Sequence, residues 1–185
     1  MLKKNGWIGV ELTDAVIEKA KAIRAKRDAQ YGNIYTEKDT DERWLGDAGE
    51  ILFSIWLKHH KVSPVKWILE EAAGKPDFIV LNSIVDVKTV KRNFEMRPHY
   101  TAQVTASHAN KEVHHFFFCV YERPTGLFWL LGGITKANFL QKAGYYGQGE
   151  YVHANYQIRE GHEIYNIEVA HLTPPEEWLA SLSAS

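Results

Sequence analysis

Apolar residues recur at helical spacing twice in the first third of the chain. Val16, Ala20 and Ile23 follow Thr13, which stands in N-cap position, and predict a helix over 13–30. Trp44, Ala48, Ile51, Leu52 and Ile55 make a stronger stripe and predict a second helix from about Asp41 to His60. The polar stretch 31–40 between them reads as a loop. Beyond Pro64 the period changes to two. Val65 to Leu69 reads as a short strand, and Gly74-Lys75-Pro76 marks a turn. Asp77–Leu81 and Ile84–Val90 read as two strands with only Asn82 and Ser83 between them, the length of a tight hairpin turn. Tyr100–Thr105 alternates like a strand and is also long enough for a helical turn. Ser107 stands where it would cap a short helix running to Val113. Phe116–Tyr121 and Leu127–Leu131 bracket Arg-Pro-Thr-Gly as a second hairpin. A short helix over Thr135–Ala143, a Gly- and Tyr-rich loop over 144–148 and a strand over Glu163–Val169 follow. Thr173-Pro174-Pro175-Glu176 has capping-box spacing and predicts the start of a last helix.

Helix, strands, helix, strands in one chain of 185 residues predicts one mixed α/β (α+β) domain around a central sheet. Composition adds exclusions. Hydrophobic residues at 45% and charged residues at 24% are incompatible with a disordered or fibrous chain. A single cysteine, Cys119, set in the run Phe116–Val120, excludes a disulfide framework and reads as core. No apolar run has the roughly 20 residues of a membrane helix, so we expect a soluble, cytoplasmic protein with no membrane partner. The formal net charge of −1 excludes a histone-like binder but leaves room for a local basic surface. The histidine pairs His59-His60 and His114-His115 point to opposite sides of their elements and make a poor zinc site. Tyr145, Tyr146 and Tyr151 read as a core-edge aromatic loop, with stacking on unpaired bases as the other option.

The chemistry concentrates in residues 75–88. If Asn82 and Ser83 form the turn, Leu81 pairs with Ile84, Ile79 with Asp86 and Asp77 with Lys88. Asp77, Asp86 and Lys88 then share one face of one hairpin, the two acids being diagonal neighbours roughly 7–8 Å apart at the backbone. Carboxylates at that spacing suit one hard divalent cation, Mg²⁺ or Mn²⁺. Lys88 beside it suits attack on a phosphodiester, orienting water or offsetting transition-state charge. The competing reading is an edge-strand ion pair between Asp86 and Lys88. Asp86 lies between Val85 and Val87, however, and a carboxylate buried there needs a partner or a metal.

Pro76-Asp77, eight residues, then Asp86-Val87-Lys88 resembles the signature of the PD-(D/E)XK nuclease superfamily. The helix before it carries Gly46-Asp47-Ala48-Gly49-Glu50, and Glu50 matches the helix glutamate that many members bring to the metal. Glu50 shares a helical row with Gly46, Phe53 and Leu57. Asp47 lies deeper in the polar arc with Arg43, Ser54 and Lys58 and is expected to be solvated. The two glycines would admit close approach of another element.

The resemblance covers roughly residues 40–120. It implies a restriction-endonuclease-like core of four to five strands flanked by helices, within a single domain 1–185. That core would span about 40–135, with the helix 13–30, an extra hairpin and a C-terminal helix added, residues 136–185 being C-terminal additions. It also implies a Mg²⁺-dependent nuclease acting on DNA, or less often RNA. Asp77, Asp86, Glu50 and the Val87 carbonyl would hold the metal, with Lys88 at the attacking water. Gln103 could match the Gln found downstream of the lysine in some branches. The Gln-x-x-x-Tyr pattern of the RecB-like branch is not met, since Ser107 stands at the Tyr position.

A compact member without a recognition domain suggests, by fold-level analogy, a resolvase-like, phage or mobile-element enzyme. Double-strand cleavage would call for a homodimer. Lys91, Arg92 and Arg97 follow the second acid and suit phosphate contacts. The basic face of helix 13–30 (Lys19, Lys21, Arg24, Lys26, Arg27) is a second candidate surface. The alternative is a non-catalytic nucleic-acid-binding module that retains the nuclease fold.

Overall fold

The structure is a computed structural model and describes residues 1–31, 42–69 and 75–183. Most of the stretch expected as a loop over 31–40, together with Asp41 and Gly74, lies outside the described residues. The N-terminus holds two strands that its short apolar run did not announce, β1 (Leu2–Lys4) and β2 (Trp7–Glu11). Then come the two expected helices, α1 (Asp14–Tyr31) and α2 (Trp44–His59), and the expected strand β3 (Val65–Trp67). The acid-bearing hairpin is β4 (Phe78–Val80) and β5 (Ser83–Arg92). After it come β6 (Thr101–Thr105), α3 (Ala106–Ala109), the long hairpin β7 (His115–Glu122) and β8 (Leu127–Thr135), and α4 (Lys136–Lys142). The chain closes with β9 (Gly144–Tyr146), β10 (Tyr151–His153), β11 (Tyr156–Gln157), β12 (Ile164–Glu168) and α5 (Pro175–Ser183).

The fold is the expected α+β arrangement, a large mixed sheet flanked by helices with a C-terminal helix. The sheet has seven strands in the order β1-β2-β8-β7-β5-β4-β3, more than the four to five anticipated, because β1 and β2 extend it past β8. All its pairs are antiparallel except β5–β7, which is parallel. The Gly/Tyr segment expected as a loop supplies β9, which joins β6 and β12 in a small second sheet. Two cap assignments move. Thr105 rather than Ser107 precedes α3, which is only four residues long. Helix α5 begins at Pro175, while Thr173 is occupied in a bridge to Gly133.

Alternation along β7 decides the layering. Phe117 and Cys119 point to a core shared with α2 and α5, while Phe116, Phe118 and Val120 point to a second core under the small sheet and α4. Both faces of the sheet are therefore covered. Helix α2 is buried on nearly all sides. Phe53, in the row read as lying away from the main stripe, packs on Phe117 with ring centroids 4.6 Å apart. Ile55, placed in that stripe, is exposed. Of the two helix glycines only Gly49 faces a close neighbour: a Cβ there would lie 2.1 Å from Thr89 Oγ1 of β5, whereas one at Gly46 would meet nothing.

Candidate active site at the end of β4

The hairpin closes one residue earlier than expected. Val80 pairs with Ser83 and Phe78 with Val85, so Leu81 and Asn82 form the turn. Leu81 leaves the ladder, donates its N–H to Pro64 O at 2.8 Å and packs on the α2-side core, at a left-handed φ of 55°. The pairing differs from the expected one by two positions, which keeps every side chain on its anticipated face. Asp77 comes level with Asp86 instead of diagonal to it, and the Asp77 N–H donates to Val85 O at 3.2 Å.

Strand β4 pairs with only the first part of the ten-residue β5. Beyond Val85 the β4-side edge of β5 opens, and the four residues of the motif meet at this opening. The Val87 N–H faces it and donates to Asp77 Oδ2 at 2.7 Å. The Val87 carbonyl points to the same edge, and the opposing chain there carries Pro76, which has no N–H to offer. Asp86 and Lys88 lie opposite Phe116 and Phe118 of β7, on the small-sheet side. Glu50 arrives from α2 on the other side, past the end of β4. Strand β5 is interior to the sheet, but beyond Val85 it pairs with β7 alone, so Asp86 and Lys88 form their ion pair beside a local edge.

Asp86 is fully buried between two lysines. Lys88 Nζ is 2.5 Å from Oδ2 and Lys111 Nζ is 3.1 Å from Oδ1. The Lys88 contact is an ion pair without hydrogen-bond alignment, so Oδ2 has no hydrogen-bond partner. Burial pushes the Asp86 carboxyl up, but the two lysines outweigh it and hold it below the usual range. Burial, then the charges of Glu50 and Asp86, hold Asp77 well above its ordinary range against the pull of Lys88 and Lys111. Burial disfavours the Lys88 ammonium, yet Asp86, Asp77 and Glu50 keep it more firmly protonated than usual. These mutual effects mean that the three carboxylates and the lysine share one electrostatic centre.

Glu50 is held in that centre by Arg27, whose Nη1 and Nη2 donate to its two oxygens at 2.8 and 2.9 Å, and by Trp67 Nε1 at 3.0 Å. Burial works against the Arg27 charge, but its bond to Glu50 and the charges of Glu50, Asp47 and Asp77 more than offset that. Asp47 is not solvated. It is fully buried and paired with Arg24 at 2.7 Å and Arg27 at 2.6 Å, and burial pushes its carboxyl up to about 6 despite them. Lys19 covers the Trp67 ring at 5.7 Å. Arg24 and Arg27 of the basic face of α1 are thus turned inward, while Lys19 stays exposed.

The other anticipated contacts stay apart from this centre. Lys91 pairs with Glu42 at 2.7 Å on the α2 side of the sheet. Arg92 donates to Thr101 O and is partly buried. Arg97 is exposed near Glu95, and Gln103 lies opposite Asn166 in the small sheet. The structure adds two residues that sequence reading missed, Lys111 and His108. Their three-residue spacing was the available signal. His108 Nδ1 lies 3.3 Å from Lys88 Nζ. Burial and the two lysine charges push the imidazole down to about 4, so Nδ1 accepts from the ammonium.

By donor chemistry the site fits a hard cation: three carboxylates, one with an oxygen lacking a hydrogen bond and one destabilised by its neighbours' charge, plus an open carbonyl edge. Among the described residues, no three acidic, His or Cys groups already stand at metal-binding spacing. Arg27, Lys88 and Lys111 hold two of the three carboxylates, and a cation would take their place there. Comparison with protein-family models, with curated proteins and with solved structures gives no match for this chain. Among the described residues no helix is long and apolar enough to cross a membrane.

Proposed function

We propose that the chain is a metal-dependent nuclease of the PD-(D/E)XK type, hydrolysing phosphodiester bonds in nucleic acid, DNA before RNA. The observation that supports this is the meeting of Glu50, Asp77, Asp86 and Lys88, from a helix and two strands, at the opening where β4 stops. A purely structural ion pair between Asp86 and Lys88 requires neither Asp77 nor Glu50 in the same centre.

Asp77, Asp86, Glu50 and the Val87 carbonyl would hold Mg²⁺ or Mn²⁺. When bound, such a cation offsets charge on the phosphate and acidifies water. The chain's own residues do the rest. The Val87 N–H fixes one Asp77 oxygen and with it the position of the carboxylate at the opening. Lys88, kept protonated by the surrounding acids and held by His108, orients the attacking water and offsets charge growing on the phosphate. Phe116 and Phe118, fully buried beside Asp86 and Lys88 on the next strand, flank the centre with apolar groups and strengthen these interactions. Arg97, exposed at the margin, suits a backbone phosphate, and a homodimer would serve double-strand cleavage.

The engaged state of Glu50 and Asp86 favours one other reading, a binding module in which cations of the chain permanently satisfy the acids. Incubation with linear and branched DNA and with RNA, in Mg²⁺ and in excess chelator, separates the two. Cleavage that needs the metal and disappears in Asp86→Asn supports the nuclease. Binding without cleavage in Mg²⁺ or Mn²⁺ supports the module, and cleavage undiminished by chelator refutes the metal mechanism.

A further inference from the structure

Lys111 contacts the same carboxylate as the motif lysine, from a different part of the chain. Its side chain is only 9% exposed, its Nζ lies 3.1 Å from Asp86 Oδ1, and it also donates to Lys75 O at 3.1 Å. Its own backbone is pinned from two sides. The Lys111 N–H donates to His108 O at 3.1 Å, and Lys136 Nζ at the start of α4 donates to Lys111 O at 2.6 Å. The ammonium is thus positioned over the opening by β4, β5, α3 and α4 together.

One cation suffices to neutralise Asp86, and Lys88 already stands 2.5 Å from it. A second, nearly buried ammonium on the same carboxylate is costly to desolvate and exceeds what an Asp86–Lys88 pair alone requires, although its charge also acts on Asp77. It gains a purpose once something else takes the carboxylate. A buried cation that loses its counter-ion must find another anion at once. We propose that Lys111 is a substrate-binding residue: it neutralises Asp86 in the free protein and passes to a non-bridging oxygen of a nucleic-acid phosphodiester when a divalent cation takes Asp86. Lys88 remains with the water, and Lys111 supplies the phosphate contact that Lys91 and Arg92, engaged elsewhere, do not. This inference rests on the nuclease reading. It makes metal and phosphate binding mutually supportive, because each removes the partner that the other's ligand would leave unpaired.

The test uses Lys111→Gln, which removes the charge, and Lys111→Arg, which keeps it. Binding of fluorescent uncut duplex is measured by anisotropy in Ca²⁺ across a salt series, and Ca²⁺ binding without DNA by calorimetry. Lys111→Gln should bind DNA about tenfold more weakly, with the slope of log affinity against log salt smaller by about one, as expected for one lost phosphate contact. It should bind Ca²⁺ in the absence of DNA at least as tightly as the unaltered protein, because one competing cation is gone. Lys111→Arg should keep the salt slope. A Lys111→Gln protein with unchanged DNA affinity and slope overturns the inference while leaving the nuclease reading intact. So does one that loses Ca²⁺ and DNA binding together, which is the mark of a residue that merely props Asp86. Failure of the unaltered protein to bind either Ca²⁺ or DNA overturns both.

Discussion

Removing the carboxylate of Asp47 tests whether the acid row of α2 is divided between support and chemistry. Asp47 is fully buried and holds Arg24 and Arg27 at 2.7 and 2.6 Å. Breaking a buried pair by deleting one partner costs about 3–5 kcal/mol. The low end applies, because the Arg24 and Arg27 side chains are 24% and 21% exposed, and Arg27 keeps its two bonds to Glu50. Unfolding entropy near the midpoint is about 2.1 cal/mol/K per residue, or about 0.39 kcal/mol/K for this chain, so about 3 kcal/mol lowers the midpoint by about 8 °C. Glu50→Gln keeps one acceptor oxygen for Trp67 and Arg27 Nη2 and loses the charge and the oxygen that takes Arg27 Nη1, for about 1–2 kcal/mol and about 3–5 °C. Scanning calorimetry of both variants, with metal-dependent cleavage measured well below either midpoint, gives crossed outcomes. Asp47→Ala should be the less stable and the more active, Glu50→Gln the more stable and nearly inactive. An Asp47→Ala protein melting within about 2 °C of the unaltered one would refute the buried-pair reasoning.

Three further outcomes follow from the same geometry. Gly49→Ala places a Cβ 2.1 Å from Thr89 Oγ1 and should cost about 1–3 kcal/mol by urea denaturation, most of it recovered in the Gly49→Ala, Thr89→Ala double variant. His108 should titrate near 4 in NMR spectra rather than near its ordinary 6.5, and Lys88→Ala should raise that value, since one of the two cations disfavouring the imidazolium is gone. Lys88→Ala should also slow single-turnover cleavage by about 10²-fold or more while changing affinity for uncut DNA in Ca²⁺ less than about tenfold; normal cleavage would return Lys88 to a structural role.

The motif was legible because its information is local. Asp77, Asp86 and Lys88 are close in sequence, period two fixes their face, and the difference of two in register left that face unchanged. The helices α1 and α2 and the hairpin β7–β8 were legible for the same reason. What the sequence concealed was set by partners distant along the chain. Asp47 looked solvated because the arginines that bury it lie on α1, 20 and 23 positions earlier. The basic face of α1 looked like a nucleic-acid surface for the complementary reason. Lys111 and His108 offered only their three-residue spacing, since a four-residue helix has no periodicity to read and only the parallel β5–β7 pairing carries the segment after it past the acids. Ile55 and Phe53 exchanged roles because α2 is covered on several sides, so a single stripe does not describe it.

The pairing of β2 with β8 bears on how the chain assembles during synthesis. Ile8 pairs with Leu130, so strands made early in this stretch of chain join one made much later. At about 5–20 residues per second, the N-terminal segment waits roughly 6–25 s for its partner. Until then it can form only the β1–β2 hairpin, and two isolated strands are marginal in water. The edge that will meet β8 stays unpaired through that interval, with Trp7 and Ile8 uncovered. The growing chain is therefore open to wrong partners along β1 and β2, and the helices α1 and α2 can pair with each other before the sheet beneath them is complete.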